Sequence, residues 1–180
     1  MRIRAYRSFI VPVFVIALAA IIFLCSGQGG SAAIQTNQEK KVGEEIAAFA
    51  VSISGDYSTK DRTGPKTFDC SGFVYYVMQR FEENFPTGNT QVQLLWGEPI
   101  DHRALQKKND TSALLPGDLI FFDYEPDGTP NHVGLYIGSG NIRHCWNGGV
   151  CTTPLDGHFY KDNDGMLFQT VCGVRRISSS

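Results

Sequence analysis

The sequence predicts an α+β domain, because two helix-patterned segments come first, short β-patterned runs fill the chain from Pro116 onward, and strand and helix do not alternate. At 180 residues, with 42% hydrophobic and 19% charged residues, the composition is that of one globular domain rather than a disordered chain. Formal net charge is −2, and no like-charge run exceeds a pair such as Lys107-Lys108 or Arg175-Arg176. A basic footprint is missing from the sequence, so no nucleic-acid partner is expected.

The first thirty-three residues differ in kind from the rest. Arg2, Arg4 and Arg7 precede an almost unbroken apolar run from Phe9 to Leu24, the pattern of an export signal. Small residues at Ser31-Ala32-Ala33 follow a spacer containing Gly27, Gly29 and Gly30, so cleavage after Ala33 is expected. The alternative is an uncleaved membrane attachment through residues 9–24, with the arginines on the cytoplasmic side. Cys25 is preceded by Leu24 rather than a small residue, which argues against lipidation. Residues 34–180 then form one exported domain in the periplasm, the cell envelope or the medium. Losing the three arginines takes its formal charge three units below −2.

Within that domain Val42, Ile46, Ala47, Phe49, Ala50 and Ile53 recur at helical spacing, predicting an amphipathic helix over Asn37 to Ile53. Gly55, Asp56, Ser58, Gly64 and Pro65 mark a loop. A second helix starts at Cys70, with Phe73, Val74, Val77, Met78, Phe81 and Phe85 as its stripe and Pro86-Thr87-Gly88 as its end. Residues 89–115 are polar and weakly patterned, apart from a helical turn near Arg103 to Lys107. The β runs are Asp118 to Tyr124, His132 to Ile137, Asn141 to Trp146, Val150 to Thr153 and Met166 to Ile177. Turns at Pro126-Asp127-Gly128 and Gly138-Ser139-Gly140-Asn141 are short enough to make this an antiparallel meander.

An exported chain meets an oxidising compartment, so Cys70, Cys145, Cys151 and Cys172 raise the question of disulfides. Cys70 stands apart. It opens a helix, where the positive end of the dipole favours a thiolate, and Ser71-Gly72 leave room for substrate and for backbone N–H groups to face an oxyanion. Of the other three, Cys151 and Cys172 lie in β segments of the last part of the chain and are expected to pair. A base must come from His102, His132, His144 or His158. His102 lies in unpatterned polar sequence and His158 in a Gly- and Asp-rich loop. His132 and His144 flank a hairpin centred on Ser139-Gly140, which brings them together on paired strands as base and orienting group. Asp118 enters a strand from a Pro-Gly turn and reads as structural; Trp96 and Trp146 read as packing, with Trp146 near enough to His144 to line a cleft.

Four segments in register carry a resemblance: Phe68-Asp69-Cys70-Ser71-Gly72-Phe73-Val74, Leu115 to Phe122, Asn131 to Gly138, and Ile142-Arg143-His144. With Gly173-Val174-Arg175-Arg176-Ile177, the stretch from about residue 40 to 177 resembles the NlpC-type cell-wall cysteine peptidases. The resemblance implies a papain-like fold, Cys70 as nucleophile, His132 as general base and His144 as third residue. Asp69 and Ser71 match positions that hold a substrate amine in some members, although Asp69 also reads as a helix N-cap. Tyr57 matches a tyrosine lining the cleft, but Tyr57-Ser58-Thr59-Lys60 departs from the paired glycines usual there. The implied partners are peptidoglycan stem peptides, cut between the γ-carboxyl of D-glutamate and a diamino acid, with no cofactor. An N-acetylmuramoyl-L-alanine amidase on the same fold and a non-catalytic wall-peptide-binding module are the alternatives. A metal site through Cys70, His132, His144 and Cys145 lacks any C-x-x-C or H-x-x-x-H spacing, and no metal is expected.

Overall fold

In the computed structural model, residues 34, 36–161 and 167–177 are described, and the chain divides into two compact units, Met1–Asn37 and Gln38–Ser180. The expected export signal or membrane attachment, residues 1–33, lies outside the described residues. In the second unit the first helix, α1 (residues 38–52), buries Ile46, Ala47 and Ala50 and exposes Glu44 and Glu45, as its spacing predicts.

A loop then pairs β1 (Asp56–Tyr57) with β2 (Thr67–Phe68) in parallel and delivers the chain to α2 (Cys70–Met78). Gly72 lets this loop lie against the first turn of the helix, because a Cβ there would come 1.7 Å from the Arg62 carbonyl oxygen. The small side chain therefore serves the packing of the chain's own loop, where the sequence suggested room for substrate. Helix α2 ends at Met78, short of the expected Phe85. Turn hydrogen bonds such as Phe81 N–H to the Met78 carbonyl (2.9 Å) replace the ladder, and Phe85 still reaches the core.

The polar stretch that follows contains α3 (Thr90–Gln93), β3 (Glu98–Pro99) and α4 (Arg103–Lys108), all too short to leave a periodic signature. Then come β4 (Leu119–Phe122), β5 (His132–Gly138), β6 (Asn141–Trp146) and β7 (Gly149–Pro154), and, after a 3₁₀ turn at Leu155–His158, β8 (Phe159–Lys161), β9 (Leu167–Gln169) and β10 (Val171–Arg176). Strands β8 and β9 pair only with each other; the rest form an antiparallel sheet in the order β3-β10-β4-β5-β6-β7. One core packs Phe121, Val133, Leu135 and Cys145 against Phe73, Val74 and Val77 of α2 and Ile46 of α1. A second gathers Ile120, Phe122 and Ile142 with Leu105 of α4 and Leu155. Each large apolar side chain fully buried in this way stabilises the fold by roughly 1.5–3 kcal/mol.

This topology overturns the expected Cys151–Cys172 disulfide. Cys151 on β7 and Cys172 on β10 are separated by β4, β5 and β6, about 19 Å at ordinary strand spacing, far beyond the roughly 7 Å span of a disulfide. The final strand crosses back to pair with β4 instead of extending the meander beside β7. Cys70, Cys145, Cys151 and Cys172 are all free thiols.

Candidate active site

Cys70 is the first residue of α2, and the start of that helix is built from its flanks. Asp69 is extended and caps the helix: its Oδ1 accepts from Gly72 N–H at 2.6 Å and from the Ser71 hydroxyl at 3.1 Å. Its Oδ2 accepts from Arg62 Nη1 at 2.6 Å, and the same Nη1 reaches Ser71 Oγ at 2.9 Å. The cation held by Asp69 and Ser71 in this structure is the chain's own Arg62, curled back from the preceding loop, at positions where the resemblance implied a substrate amine. Arg62 Nη2 also donates to the Thr87 carbonyl at 3.1 Å, tying the helix start to the segment that leads into α3.

The thiol of Cys70 is pushed up from its ordinary range, chiefly by burial and then by the Asp69 charge; backbone N–H groups of Val133, Ser71 and Cys70 pull it back. Position at a helix start does not by itself ionise this cysteine. Burial and the adjacent carboxylate outweigh the pull of these backbone groups, so ionisation calls for a base.

His132 opens β5 and is fully buried; its Nε2 lies 2.7 Å from Nδ1 of His144. A β-bulge makes this contact. Tyr136 pairs with Ile142 and Gly138 with Asn141, leaving Ile137 as an extra residue on β5. Had the two-residue turn at Ser139-Gly140 set the register all along the hairpin, His144 would pair with Leu135 and point to the face opposite His132. With the bulge, Leu135 pairs with Arg143, His144 falls beside Gly134, and both imidazoles share a face. Gly134 gives His144 room, since a Cβ there would come 3.2 Å from the His144 Cβ. On the far side His144 Nε2 meets Thr153 Oγ1 at 3.0 Å and Cys151 Sγ at 3.5 Å, both on β7.

Cys70 and His132 line one cleft of about 290 Å³, together with Cys145, Tyr57, Tyr124 and Trp146. The His132 ring is boxed by Trp146 (centroids 4.7 Å, interplanar 89°), Tyr124 (5.7 Å) and Phe122 (5.8 Å). Tyr57 and Trp146 both line the cleft; Asp69 and Ser71 are not on its wall. Cys145 donates to the Phe68 carbonyl at 3.2 Å, and burial pushes its thiol up to about 12, which keeps it protonated. His102 caps α4 away from the cleft, with Nδ1 3.3 Å from the Ile100 carbonyl oxygen, and the His158 side chain lies outside what the structure describes.

Sequence reasoning missed the residues that hold the two halves of this site in place. Gln93, fully buried on α3, donates to the Ser71 carbonyl at 2.9 Å, while Thr90 donates to the Pro130 carbonyl at 2.6 Å, two residues before His132. The same short helix thus grips both α2 and the approach to β5.

The NlpC/P60 family profile matches residues 56–167. Among curated relatives, the gamma-D-glutamyl-L-lysine dipeptidyl-peptidase of Bacillus subtilis is 33% identical over 154 residues, covering 83% of this chain and 46% of that one. A protein named "Probable endopeptidase p60" from Listeria grayi is 36% identical over 95 residues, 53% of this chain and 16% of its own length. The chain thus spans less than half the length of these curated relatives. Among solved structures, that of NlpC2 from Trichomonas vaginalis matches with a TM-score of 0.57 at 28% identity, covering 74% of this chain and 46% of that one. The helix-start cysteine packed on an antiparallel sheet that carries the histidines is the papain-like arrangement, and with a family profile matching more than half its length this chain belongs to the NlpC/P60 family.

Proposed function

We propose that this chain is a cysteine peptidase that hydrolyses an amide bond in peptidoglycan stem peptides, with Cys70 as nucleophile, His132 as base and His144 as its orienting partner. The observation that carries the reading is one cleft holding a helix-start thiol and an imidazole whose far nitrogen is bonded to a second imidazole at 2.7 Å. In the mechanism we propose, His132 Nδ1 takes the Cys70 proton as Sγ attacks the scissile carbonyl carbon. Backbone N–H groups at the start of α2 then face the growing oxyanion. His132 returns the proton to the departing amine, leaving an acyl-enzyme on Sγ that water, deprotonated by the same imidazole, hydrolyses.

This sequence of proton transfers fixes the tautomers. If Nδ1 of His132 is the base, its Nε2–H donates to Nδ1 of His144, and Nε2–H of His144 donates in turn to Thr153 Oγ1. Thr153→Val removes the better acceptor and leaves the sulfur of Cys151 at 3.5 Å. The expected cost is about 1 kcal/mol in the transition state, a fall of about fivefold in kcat, with KM unchanged. Thr153→Ser should recover the rate. Steady-state kinetics of the two variants check this, and a change confined to KM would remove Thr153 from the relay.

The bond we propose is the one between the γ-carboxyl of D-glutamate and a diamino acid, supported by the name and 33% identity of the Bacillus relative. Mass spectrometry of purified muropeptides incubated with the protein and with its Cys70→Ala variant tests it. Products ending in D-glutamate, made only by the wild type, are expected. Products split between N-acetylmuramic acid and L-alanine would make the enzyme an amidase. Peptides bound but uncut would make it a binding module. We further propose that residues 1–33 export this domain or attach it to the membrane, which is where its polymer substrate lies.

A further inference from the structure

We infer that Trp146 is a positioning residue for the proposed reaction: its indole ring covers His132, holds the imidazole on its bond to His144 and keeps water from it, so that His132 meets the Cys70 thiol as a neutral base. The inference deepens the proposed function and rests on that reading for the role of His132. Its starting point is a contrast between two rings in contact. His132 is fully buried, whereas Trp146, with its centroid 4.7 Å away, is 45% exposed. The indole is therefore part of the outer layer of the site, with solvent on its far side. Tyr124 completes the cover, 5.7 Å from His132 and 5.8 Å from Trp146, and Phe122 stacks on Tyr124 at 5.7 Å. The planes of Trp146 and His132 stand at 89°, so the edge of one ring meets the face of the other, a contact that resists rotation of the imidazole off its 2.7 Å bond to His144.

The turn that follows Trp146 fixes the indole in place. Trp146 pairs with Gly149 across the turn between β6 and β7. Gly149, at φ 97°, lies so close to the preceding loop that a Cβ would come 2.5 Å from the Gly55 carbonyl oxygen, and Val150 N–H donates to the same oxygen at 2.9 Å. The cover thus belongs to the sheet and its neighbouring loop.

Such a ring acts on the base in two opposite ways. Excluding water disfavours the imidazolium, by up to about 3–5 pH units for a fully buried group. An indole face favours a cation, by roughly 1.5 pH units. Water exclusion is the larger effect, so removing the indole should make His132 easier to protonate. Other ionisable groups surround the same ring. From α2 comes Cys70, and its neighbour Asp69 is matched by Arg62 at 2.6 Å. Cys145 of β6 and Tyr57 of β1 share the cleft wall, and Cys151 of β7 stands behind His144. Arg143, on the opposite face of β6 from His144, donates to the Ile53 carbonyl at 2.6 Å. Beyond β4, Asp123 accepts from the backbone N–H groups of Glu125 and Gly128. Glu125 is the carboxylate on the cleft wall, and its charge would favour the imidazolium, so its share is measured separately.

Histidine ring signals of the full-length Cys70→Ala protein are followed by NMR from about pH 4.5 to 9, with His132→Gln identifying the pair. Because His132 and His144 share a hydrogen bond, the quantity read is the midpoint at which the pair takes its first proton. Trp146→Ala is expected to raise that midpoint by about one pH unit, and Trp146→Phe, which keeps a ring over the imidazole, by less than half as much. The phenylalanine variant carries the test should the alanine variant not fold. In the Cys70-containing protein the acid limb of kcat/KM should move with the midpoint, giving Trp146→Ala a loss of about tenfold near pH 5 that is recovered near pH 8. A midpoint that stays or falls in a folded variant, or a loss of kcat/KM equal at every pH, would overturn the inference. So would a rise that disappears in the Glu125→Gln background, since the indole would then be screening that carboxylate instead of excluding water. A shifted midpoint in a protein without turnover would reject the peptidase and leave the cover standing, whereas turnover with an unmoved midpoint would reject only the cover.

Discussion

Replacing Cys70 with serine or alanine is expected to abolish turnover, and His132→Ala is expected to do nearly the same. The thiol gains little from its surroundings unaided: burial and the Asp69 charge hold it above the ordinary thiol range. Serine in the same place is a far weaker acid, and its oxygen would have to be deprotonated against the same desolvation. The base is what the cysteine cannot do without, so loss of His132 should cost at least the roughly 10²- to 10⁴-fold typical of general-base catalysis. Alkylation with iodoacetamide separates this from misfolding. In the wild type, proton transfer to His132 should allow Cys70 to react near neutral pH. In His132→Ala the reaction should need pH above the ordinary thiol range, because the raised thiol must ionise unaided. Unchanged alkylation profiles, or unchanged turnover in Cys70→Ser, would sink the cysteine mechanism. His144→Ala should keep weak activity, since it orients the base without touching the proton in transfer.

The sequence pattern made the helix at Cys70 legible because its apolar stripe and its cap residue are local, and so were the strands that carry His132 and His144. Their meeting was expected for an incomplete reason. A two-residue turn at Ser139-Gly140 leaves the imidazoles on opposite faces, and the extra residue Ile137 is what corrects the register. Nothing in a single sequence marks a β-bulge of this kind, since its energetic origin is the pairing of distant backbone groups. Long-range pairing also decides against the expected Cys151–Cys172 bridge: the two residues are close in the last part of the chain but not in the sheet, because β10 crosses to β4. Arg62 escaped notice because it acts through a loop that folds back seven residues, and a charged residue in a polar loop ordinarily reads as solvated. Residues 89–115 are quiet because their helices are one to two turns long, too short for periodicity. Gln93 nevertheless left one clue, being an uncharged polar residue flanked by Val92 and Leu94. The proposed catalytic positions rest mainly on the resemblance, while the contacts that orient them became visible only with the fold.

Asp118 shows how a residue read as structural from its turn can matter as much as a catalytic one. It sits at the entry to β4 with 1% exposure, accepts from Leu115 N–H at 2.8 Å, and receives Nε and Nη2 of Arg176 from β10 at 2.8 and 2.7 Å. The pair fastens the crossing strand to the central sheet. Burial pushes the Asp118 carboxyl up from its usual range, and the Arg176 guanidinium and the Leu115 N–H pull it back without cancelling the shift. Arg176→Met keeps the length of the side chain and strips the carboxylate of its counter-charge, so the buried anion is left uncompensated. A loss of about 3–5 kcal/mol is expected, read as a fall in the denaturant midpoint at neutral pH. The pH dependence has a definite sign. With the guanidinium gone, the folded-state pKa of Asp118 rises further above its unfolded value, so the folded variant binds a proton more tightly than the unfolded chain. Stability must then decline as pH rises from the ordinary carboxyl range through the raised pKa, and level off above it. The variant should accordingly regain stability relative to the parent as pH falls toward about 4, where the neutral carboxyl needs no cation. A deficit that stays constant from pH 8 to that point would mean that Arg176 stabilises the strand by packing alone, without neutralising Asp118.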